Sequence, residues 1–507
     1  MRADLAELSR RRALTEDSAR PDAVSKRHAG GGRTARENVA DLVDAGSFVE
    51  YGRYAIAAQR SRRAAEDLIA TTPADGLLAG TATVDGHRTA VLAYDYTVLA
   101  GSQGTLGHLK KDRMFDLIER LRLPVVFFAE GGGGRPGDTD YPVVSALQVR
   151  AFALWARLSG RVPRIAVVAG NCFAGNAVIA GCSDLMIATR RASLGMAGPA
   201  MIAGAGLGDV RAEDVGPIKV QERNGVVDVV VDDEAAAVAM AKRLLGYLRG
   251  SGAEWSTADQ GALREALPEN PRRAFDVRPI ISAIADADSV TVLRERFAPE
   301  LVTALARIEG RPVGILANNS KFMAGAVTAD ASDKAARFLQ LCDAFGLAIV
   351  SLIDTPGYMV GPEHEERALV RHCCRMLVAG AATTVPVVAV ILRRAYGLGA
   401  QAMACGGLHE PVLTVAWPGA TLGPMGPEGA VRLAMRRELE AIEDEVQREQ
   451  VVRDLTARMH DLSQALNAAE IFEIDDIIDP ADTRSTIARA LAAAGPLLPS
   501  GRTVDVW

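Results

Sequence analysis

The stretch Arg393-Arg394-Ala395-Tyr396-Gly397-Leu398-Gly399-Ala400-Gln401 has the make-up of a site for a negative oxygen. An apolar run, Val385-Pro386-Val387-Val388-Ala389-Val390-Ile391-Leu392, precedes it and reads as a buried strand. A small-residue run, Ala400-Gln401-Ala402-Met403-Ala404, follows it and reads as the start of a closely packed helix. A strand, a glycine turn and a helix start leave the first N–H groups of the helix without intrahelical acceptors. Those N–H groups, together with the helix dipole, favour an anion. No charged side chain is needed. Taken singly, the stretch also reads as a packing turn, the commonest use of glycine in an α/β protein.

A second stretch of the same kind lies upstream. The apolar run 163–168 leads into Ala169-Gly170-Asn171-Cys172-Phe173-Ala174-Gly175-Asn176-Ala177. Phe173-Ala174-Gly175-Asn176-Ala177 matches Tyr396-Gly397-Leu398-Gly399-Ala400, Val162-Pro163 matches Val385-Pro386, and Gly195-Met196-Ala197-Gly198-Pro199 answers Gly423-Pro424-Met425-Gly426-Pro427. These landmarks recur in order at an offset of roughly 225 residues. Two turns able to hold oxyanions suggest a reaction with two such oxygens: a thioester enolate on one side and an enolate-like oxygen on the other.

The elements that must position these turns form α/β units. Residues 77–88 read as a hairpin with an Asp85-Gly86 turn, and 88–96 as its next strand. A Gly101-Ser102-Gln103-Gly104 loop, a helix near 107–121 and a buried strand at 124–129 follow. That strand ends in Glu130-Gly131-Gly132-Gly133-Gly134-Arg135, in which Gly133, Gly134 and Arg135 are candidate substrate-binding residues. A helix around 143–158 leads to the strand before the first turn. The same order returns with a strand at 311–319, a helix near 331–345, a strand at 347–353 ending in Asp354-Thr355-Pro356-Gly357, and a helix near 365–380. Ahead of all this, Thr34 caps a short helix in 34–46, and residues 1–32 read as a polar, Arg-rich, loosely held arm. The Pro-containing polar connector 250–276 marks the junction. Domains are expected at 33–262 and 263–507, behind the 1–32 arm.

Composition narrows the function classes. Charged residues make up 24% of the 507-residue chain and apolar residues 49%, which suits a large buried core. The net charge of −6 and the absence of a basic stripe argue against a nucleic-acid partner. Six cysteines with no CxxC pair argue against a zinc ribbon and fit a reducing compartment. The N-terminus has no apolar signal segment, and no apolar run reaches membrane-span length without charges, Gly or Pro. A cytoplasmic protein without a membrane partner is expected.

The ordered set of motifs resembles the carboxyltransferase (β) subunits of biotin-dependent acyl-CoA carboxylases, such as the propionyl-CoA and 3-methylcrotonyl-CoA enzymes. The resemblance runs from about Arg33 to Asp479. It rests on Thr34-Ala35-Arg36-Glu37, Gly46-Ser47-Phe48-Val49-Glu50, Gly170-Asn171-Cys172-Phe173-Ala174-Gly175 and Asp343-Ala344-Phe345. It also rests on Asp354-Thr355-Pro356-Gly357-Tyr358, Arg371-His372, Arg393-Arg394-Ala395-Tyr396-Gly397, Trp417-Pro418, Met425-Gly426 with Gly429-Ala430, and Asp475-Asp476-Ile477-Ile478-Asp479-Pro480. It implies two tandem crotonase-like (ClpP/crotonase) domains related by duplication. In such a trimer or hexamer, the N-domain of one subunit meets the C-domain of another.

Acyl-CoA would lie on the N-domain and carboxybiotin on the C-domain. The resemblance assigns Ala174, Gly175 and Asn176 to the thioester enolate oxygen, and Leu398 and Gly399 to the biotin ureido oxygen. Tyr396 and Gln401 flank the second turn as substrate-side residues. The implied reaction moves CO2 from carboxybiotin to an acyl-CoA, of acetyl or propionyl type first and a branched enoyl-CoA second. A decarboxylase subunit running the transfer backwards and a non-catalytic scaffold subunit are the alternatives. With no Met-Lys-Met biotinylation site and no ATP-grasp signature, the chain is expected to use a separate biotin carboxylase and biotin carrier.

Three positions depart from the family pattern. Asn176 stands where relatives usually have Gly, Gln401 lies near an Asp tied to acyl-chain choice, and Glu130 replaces an Asp. Of the remaining polar residues, Lys110 and Lys111 read as a solvated helix face, with CoA phosphates as the other use. Arg135, which matches an Arg of the family, reads as either a site-organising or CoA-proximal residue or a structural ion pair. Cys172 reads as a packed small residue. His372 reads as packing or capping within its helix. Glu363-His364-Glu365-Glu366 reads as acids at a helix start, and no metal is expected.

Overall fold

The computed structural model describes residues 2–141, 147–250, 252, 254–495 and 497–507. The chain divides into two compact units, Met1–Leu248 with Gly501–Val506, and Arg249–Ser500 with Trp507.

In the first unit the strands are β1 (Val49–Glu50), β2 (Leu77–Val84), β3 (His87–Tyr94), β4 (Val125–Phe128), β5 (Arg164–Val168), β6 (Asn171–Phe173), β7 (Leu185–Thr189), β8 (Ser193–Gly195) and β9 (Val229–Val231). The sheet order is β1-β2-β3-β4-β5-β7-β9, and β6 pairs with β8. The β2–β3 hairpin is antiparallel, and from β3 to β9 the pairs run parallel. Strands β4, β5 and β7 are buried along their whole length. That explains why they read as continuous apolar runs rather than as an alternation.

In the second unit the strands are β10 (Thr291–Leu293), β11 (Leu301–Ile308), β12 (Arg311–Asn318), β13 (Ala348–Thr355), β14 (Val387–Tyr396), β15 (Leu413–Ala416), β16 (Thr421–Gly423) and β17 (Asp476–Ile477). The order is β10-β11-β12-β13-β14-β15-β17, with β16 on the far end of β14. The pairing directions repeat: antiparallel through β12, then parallel. The single strand β14 covers the ground that β5 and β6 share in the first unit, and β16 pairs with it as β8 pairs with β6.

The match extends to single residues. β2 and β11, β3 and β12, and the helices Thr105–Leu121 and Ala329–Phe345 stand 224 positions apart (Leu77 to Leu301). Left-handed backbone recurs at the same offset in Ala74 and Ala298, Leu99 and Met323, and Ala100 and Ala324. Side chains rarely adopt that conformation, so its recurrence marks the same loops. Each unit has its own core, around Leu92, Phe127 and Trp155 in the first and around Ile315, Val350 and Trp417 in the second.

Several expectations shift. The junction falls at Leu248/Arg249 rather than at 262/263. The reason is that the connector already packs onto the second unit: the Gly252 N–H donates to the Gly310 carbonyl at 2.8 Å, and Ala287 N–H to that of Ser256 at 2.8 Å. The N-terminal arm is not loosely held. It forms helices Ala3–Ala13 and Pro21–Ala29. Arg20 reaches Asp95 at 2.9 Å, and Arg27 reaches Glu130 at 2.6 Å and Glu234 at 2.8 Å. The helix expected around 143–158 is Ala151–Arg157; residues 142–146 lie outside the described residues. Thr34 does cap its helix, Ala35–Leu42, in a box with Glu37. Among the described residues no helix is long and apolar enough to cross a membrane.

Candidate active site: two glycine turns

The first turn lies between β6 and the helix Gly175–Gly181. Ala174 sits at the corner with φ 52° and ψ −124°. Its N–H donates to the Gly195 carbonyl at 3.1 Å, and its carbonyl accepts from Val178 at 3.0 Å. Ala174 therefore shapes the turn but has no free donor, contrary to the role expected for it. The helix begins with Gly175 and Asn176, whose N–H groups precede the first intrahelical bonds. Gly175 has no room for a side chain: a Cβ would lie 2.9 Å from Gln103 Nε2 and 3.0 Å from the Phe152 ring.

Asn176 is fully buried, and its side chain is bonded on both ends. Its Oδ1 accepts from Gln103 Nε2 and from the Gly133 N–H, both at 3.1 Å. Its Nδ2 donates to the carbonyls of Gly101 at 3.4 Å and Glu130 at 3.3 Å. Gly133 is thereby turned inward, while Gly134 is exposed. Arg135 donates to the Asp75 carboxylate, to Ser102 Oγ at 3.1 Å and to the Ser102 carbonyl at 2.8 Å. Burial pushes the Asp75 carboxyl up, and Arg135 beside it opposes that. The Arg135 guanidinium thus forms a buried ion pair with Asp75, the second of its expected uses, and ties the Ser102 loop to it. Cys172 is buried, with Sγ 3.1 Å from the Ala129 carbonyl; burial raises its thiol well above the usual range, as suits a packed residue.

The second turn lies between β14 and the helix Gly397–Met403. Here the corner residue is Gly397, at φ +60°. Leu398 is 63% exposed, and Gly399 is buried. A Cβ on Gly399 would lie 2.5 Å from the Gly357 carbonyl carbon and 2.7 Å from Tyr358 N, so only glycine admits that close backbone approach. The facing loop is pinned, with Gly357 N–H donating to Thr355 Oγ1 at 3.1 Å and its carbonyl accepting from Val327 at 3.0 Å. Asp354, fully buried at the end of β13, pairs with Arg393 and Arg394, each at 2.8 Å. Tyr396 is buried and shares a 2.7 Å hydrogen bond with Thr421, so its hydroxyl braces β16 and is not available to a substrate as expected. Gln401 is exposed one turn into the helix.

Some residues around the turns were misread or missed. Lys110 and Lys111 are buried rather than solvated. Lys110 Nζ donates to the carbonyls of Ala74, at 2.9 Å, and Leu77; Lys111 Nζ donates to Gln103 Oε1 at 2.5 Å. Burial lowers Lys110 to about 8 and Lys111 to about 7. The signal was available: Gly107, Lys110, Lys111, Met114, Phe115 and Ile118 fall on one helical face, so the period put both lysines on the core side. Lys334 repeats Lys110 in the second unit, donating to the Phe297 and Leu301 carbonyls at 2.7 Å. His372 does not cap its own helix; it bonds Asp333 at 2.7 Å on the neighbouring one.

The model of the carboxyl transferase domain matches residues 26–495. The chain is 34% identical over 499 residues to the methylmalonyl-CoA carboxyltransferase 12S subunit of Propionibacterium freudenreichii subsp. shermanii, covering 96% of this chain and 93% of the relative. It is 33% identical to the propionyl-CoA carboxylase beta chain of Saccharopolyspora erythraea, over 96% of this chain and 92% of the other. Among solved structures it is similar to a single-chain, multi-domain long-chain acyl-CoA carboxylase, with 53% identity and a TM-score of 0.92 over 97% of this chain. The chain spans about half, 49%, of that multi-domain protein. It is also similar to the transcarboxylase 12S hexamer crystallised with methylmalonyl-CoA, with 32% identity, a TM-score of 0.87, and coverage of 97% and 95%. With the family's domain matched over nearly the whole of these 507 residues, the chain belongs to the carboxyl transferases, as a carboxyltransferase of the biotin-dependent acyl-CoA carboxylase type.

Proposed function

We propose that the chain transfers a carboxyl group from carboxybiotin on a carrier to the carbon beside the carbonyl of an acyl-CoA, and that its two units are crotonase-like domains that arose by duplication. The observation that supports this most is the recurrence of one turn: strand, left-handed corner and helix start at matched places in two sheets of one topology. Carboxybiotin supplies the carboxyl group and, once that is released, the base that takes the α-proton. The contribution of the chain is electrostatic. In the first unit the N–H groups of Gly175 and Asn176 hold the thioester oxygen as it gains charge. In the second, those of Leu398 and Gly399 hold the ureido oxygen. The bare backbone at Gly399 lets the Gly357-Tyr358 loop pack directly on the turn and so hold it rigid. Donors placed in this way lower a barrier by about 3–4 kcal/mol each. The polar side chains at the turns (Asn176, Arg135, Tyr396) are bonded within the fold, which fits a site that acts through backbone.

Long-chain acyl-CoA is the first substrate in this reading, ahead of the acetyl and propionyl types and the branched enoyl type. The support is the 53% identity to the long-chain carboxylase, against 34% and 33% to the methylmalonyl- and propionyl-CoA relatives. Biotin carboxylase and carrier functions come from outside these 507 residues. The working form is a homo-oligomer, by likeness to the 12S hexamer; a cytoplasmic location is part of the same proposal.

The test uses the full chain. With biocytin, it should decarboxylate malonyl-CoA or methylmalonyl-CoA. With a biotin carboxylase and carrier, it should carboxylate palmitoyl-CoA faster than propionyl-CoA. No transfer in either direction across acetyl-, propionyl-, methylcrotonyl- and palmitoyl-CoA would sink the catalytic reading. A preference for propionyl-CoA would overturn only the chain-length part.

A further inference from the structure

Behind the first turn runs a buried line of side chains with no counterpart in the second unit. Lys111 Nζ donates to Gln103 Oε1 at 2.5 Å, and Gln103 Nε2 donates to Asn176 Oδ1 at 3.1 Å. Asn176 Nδ2 then donates to the Gly101 and Glu130 carbonyls at 3.4 and 3.3 Å, while Oδ1 also takes the Gly133 N–H at 3.1 Å. All three side chains are buried, and the Lys111 ammonium lies 5.6 Å from the Tyr94 ring centre and 5.7 Å from that of Phe152.

The direction of the line is set by its first member. As an ammonium, Lys111 can only donate. The Gln103 oxygen must therefore face Lys111, its NH2 must face Asn176, and the Asn176 NH2 must face the two loop carbonyls. Each bond polarises the next.

The second unit shows what the same scaffold does without this line. At the equivalent positions it carries Ala335, Val327 and Gly399. The backbone there is the same: Val327 N–H donates to the Gly357 carbonyl at 3.0 Å as Gln103 N–H does to that of Gly133 at 2.7 Å, and the Val327 and Gln103 carbonyls accept from Met359 at 2.9 Å and Arg135 at 3.1 Å. Where Asn176 fills the space in the first unit, the Gly357-Tyr358 backbone closes directly on Gly399 in the second. Asn176 keeps the Gly133 N–H and the two loop carbonyls as partners of its own, but Lys111 and Gln103 lean on the line: Lys111 Nζ bonds Gln103, and Gln103 in turn bonds Asn176.

We propose that Lys111, Gln103 and Asn176 form one positioning unit for the acyl side of the reaction: the relay fixes loops 101–104 and 130–134 against the helix start at Gly175 and so sets how tightly the acyl thioester is held. It rests on the reading of the first turn as the acyl-thioester side. Lys111 is a positioning residue, reaching that turn only through Gln103 and Asn176.

Two readouts test the unit on the full chain: amide hydrogen exchange at 101–104 and 130–135, and the KM for methylmalonyl-CoA set against that for biocytin. Lys111→Met should speed exchange in both loops and raise the methylmalonyl-CoA KM by about tenfold each, leaving the biocytin KM within about twofold. Lys111→Gln, which keeps a donor for Gln103, should stay near wild type. The double variant Lys111→Ala, Gln103→Val takes the side chains of the second unit at those two positions and leaves Asn176 its bonds to Gly133, Gly101 and Glu130, so it should recover both readouts to within about threefold of wild type. Unchanged exchange in Lys111→Met, or a double variant worse than that single one, overturns the proposal. Should Lys111→Met fail to fold, Lys111→Gln and the double variant decide the matter. A wild-type chain with no turnover on any acyl-CoA would defeat the functional reading, while exchange would still decide the relay.

Discussion

The two turns share a backbone path and differ in what holds it. In the second unit the loop facing the turn packs by backbone alone, Gly357-Tyr358 on Gly399, and its acid, Asp354, takes two cations from β14 itself. In the first unit a side chain, Asn176, bridges the loops, and the acid, Glu130, draws its cation from Arg27 in the N-terminal helix. The position matching Arg393 is Gly170, and a Cβ there would run into the Glu130 carboxylate. The longer acid, the glycine and the distant arginine therefore go together. One topology tolerates two solutions, because the requirement is a rigid turn and either close backbone packing or a satisfied buried amide supplies it.

The difference can be broken at three places, the largest effect first. Gly399→Val puts a side chain where Gly357 and Tyr358 already lie. Turnover should fall by about a hundredfold or more, the loss expected when an oxyanion donor is displaced, while gel filtration shows the oligomer unchanged. Activity near wild type would mean that Leu398 and Gly399 do not hold a reacting oxygen.

Next come the cations. Arg27→Met leaves Glu130 with no cation among the described residues and should destabilise the chain by about 3–5 kcal/mol, as unpaired buried charges do. Arg394→Met leaves Asp354 its Arg393 partner and should cost only about 1–2 kcal/mol. Urea unfolding of both variants measures the gap, and equal losses would remove the contrast between a singly and a doubly paired acid.

The smallest effect is at the corners. Ala174 holds φ 52°, a conformation that its counterpart Gly397 adopts at φ +60° without strain. Ala174→Gly should stabilise the first unit by about 1 kcal/mol, and Gly397→Ala should destabilise the second by a similar amount. A thermal melt of each variant reads the sign. A destabilising Ala174→Gly would show that the alanine methyl contributes more by packing than the backbone loses by strain.

Much of the scaffold was legible from local pattern. The β2–β3 hairpin at Asp85-Gly86, the buried strands β4, β5 and β14, and the repeat itself follow from periodicity and turn residues. The position of each glycine turn followed too, since a strand and a helix start bracket it in both copies. What stayed hidden was partnership. Tyr396 and Ala174 are found where they were sought, yet Thr421 and Gly195 occupy the groups expected to face a substrate. Lys111 was misread because a charged residue in an exposed-looking helix is usually solvated; here the apolar period of Met114, Phe115 and Ile118 outweighed its charge. Arg27 and Glu130 stand far apart in sequence, and no local rule links them.

By itself the sequence determined the kind of fold, the doubling of the glycine turn and the family to which the turns belong. These depend on local geometry: φ/ψ preference, hydrophobic period and the need of each strand to be buried. The tertiary structure alone decided which donors at the turns are already bonded, which buried lysine orients which amide, and which arginine neutralises which acid. Hydrogen bonds and ion pairs form between groups that only folding brings within about 3 Å. The chemistry available at the two turns is thus what the fold leaves unbonded.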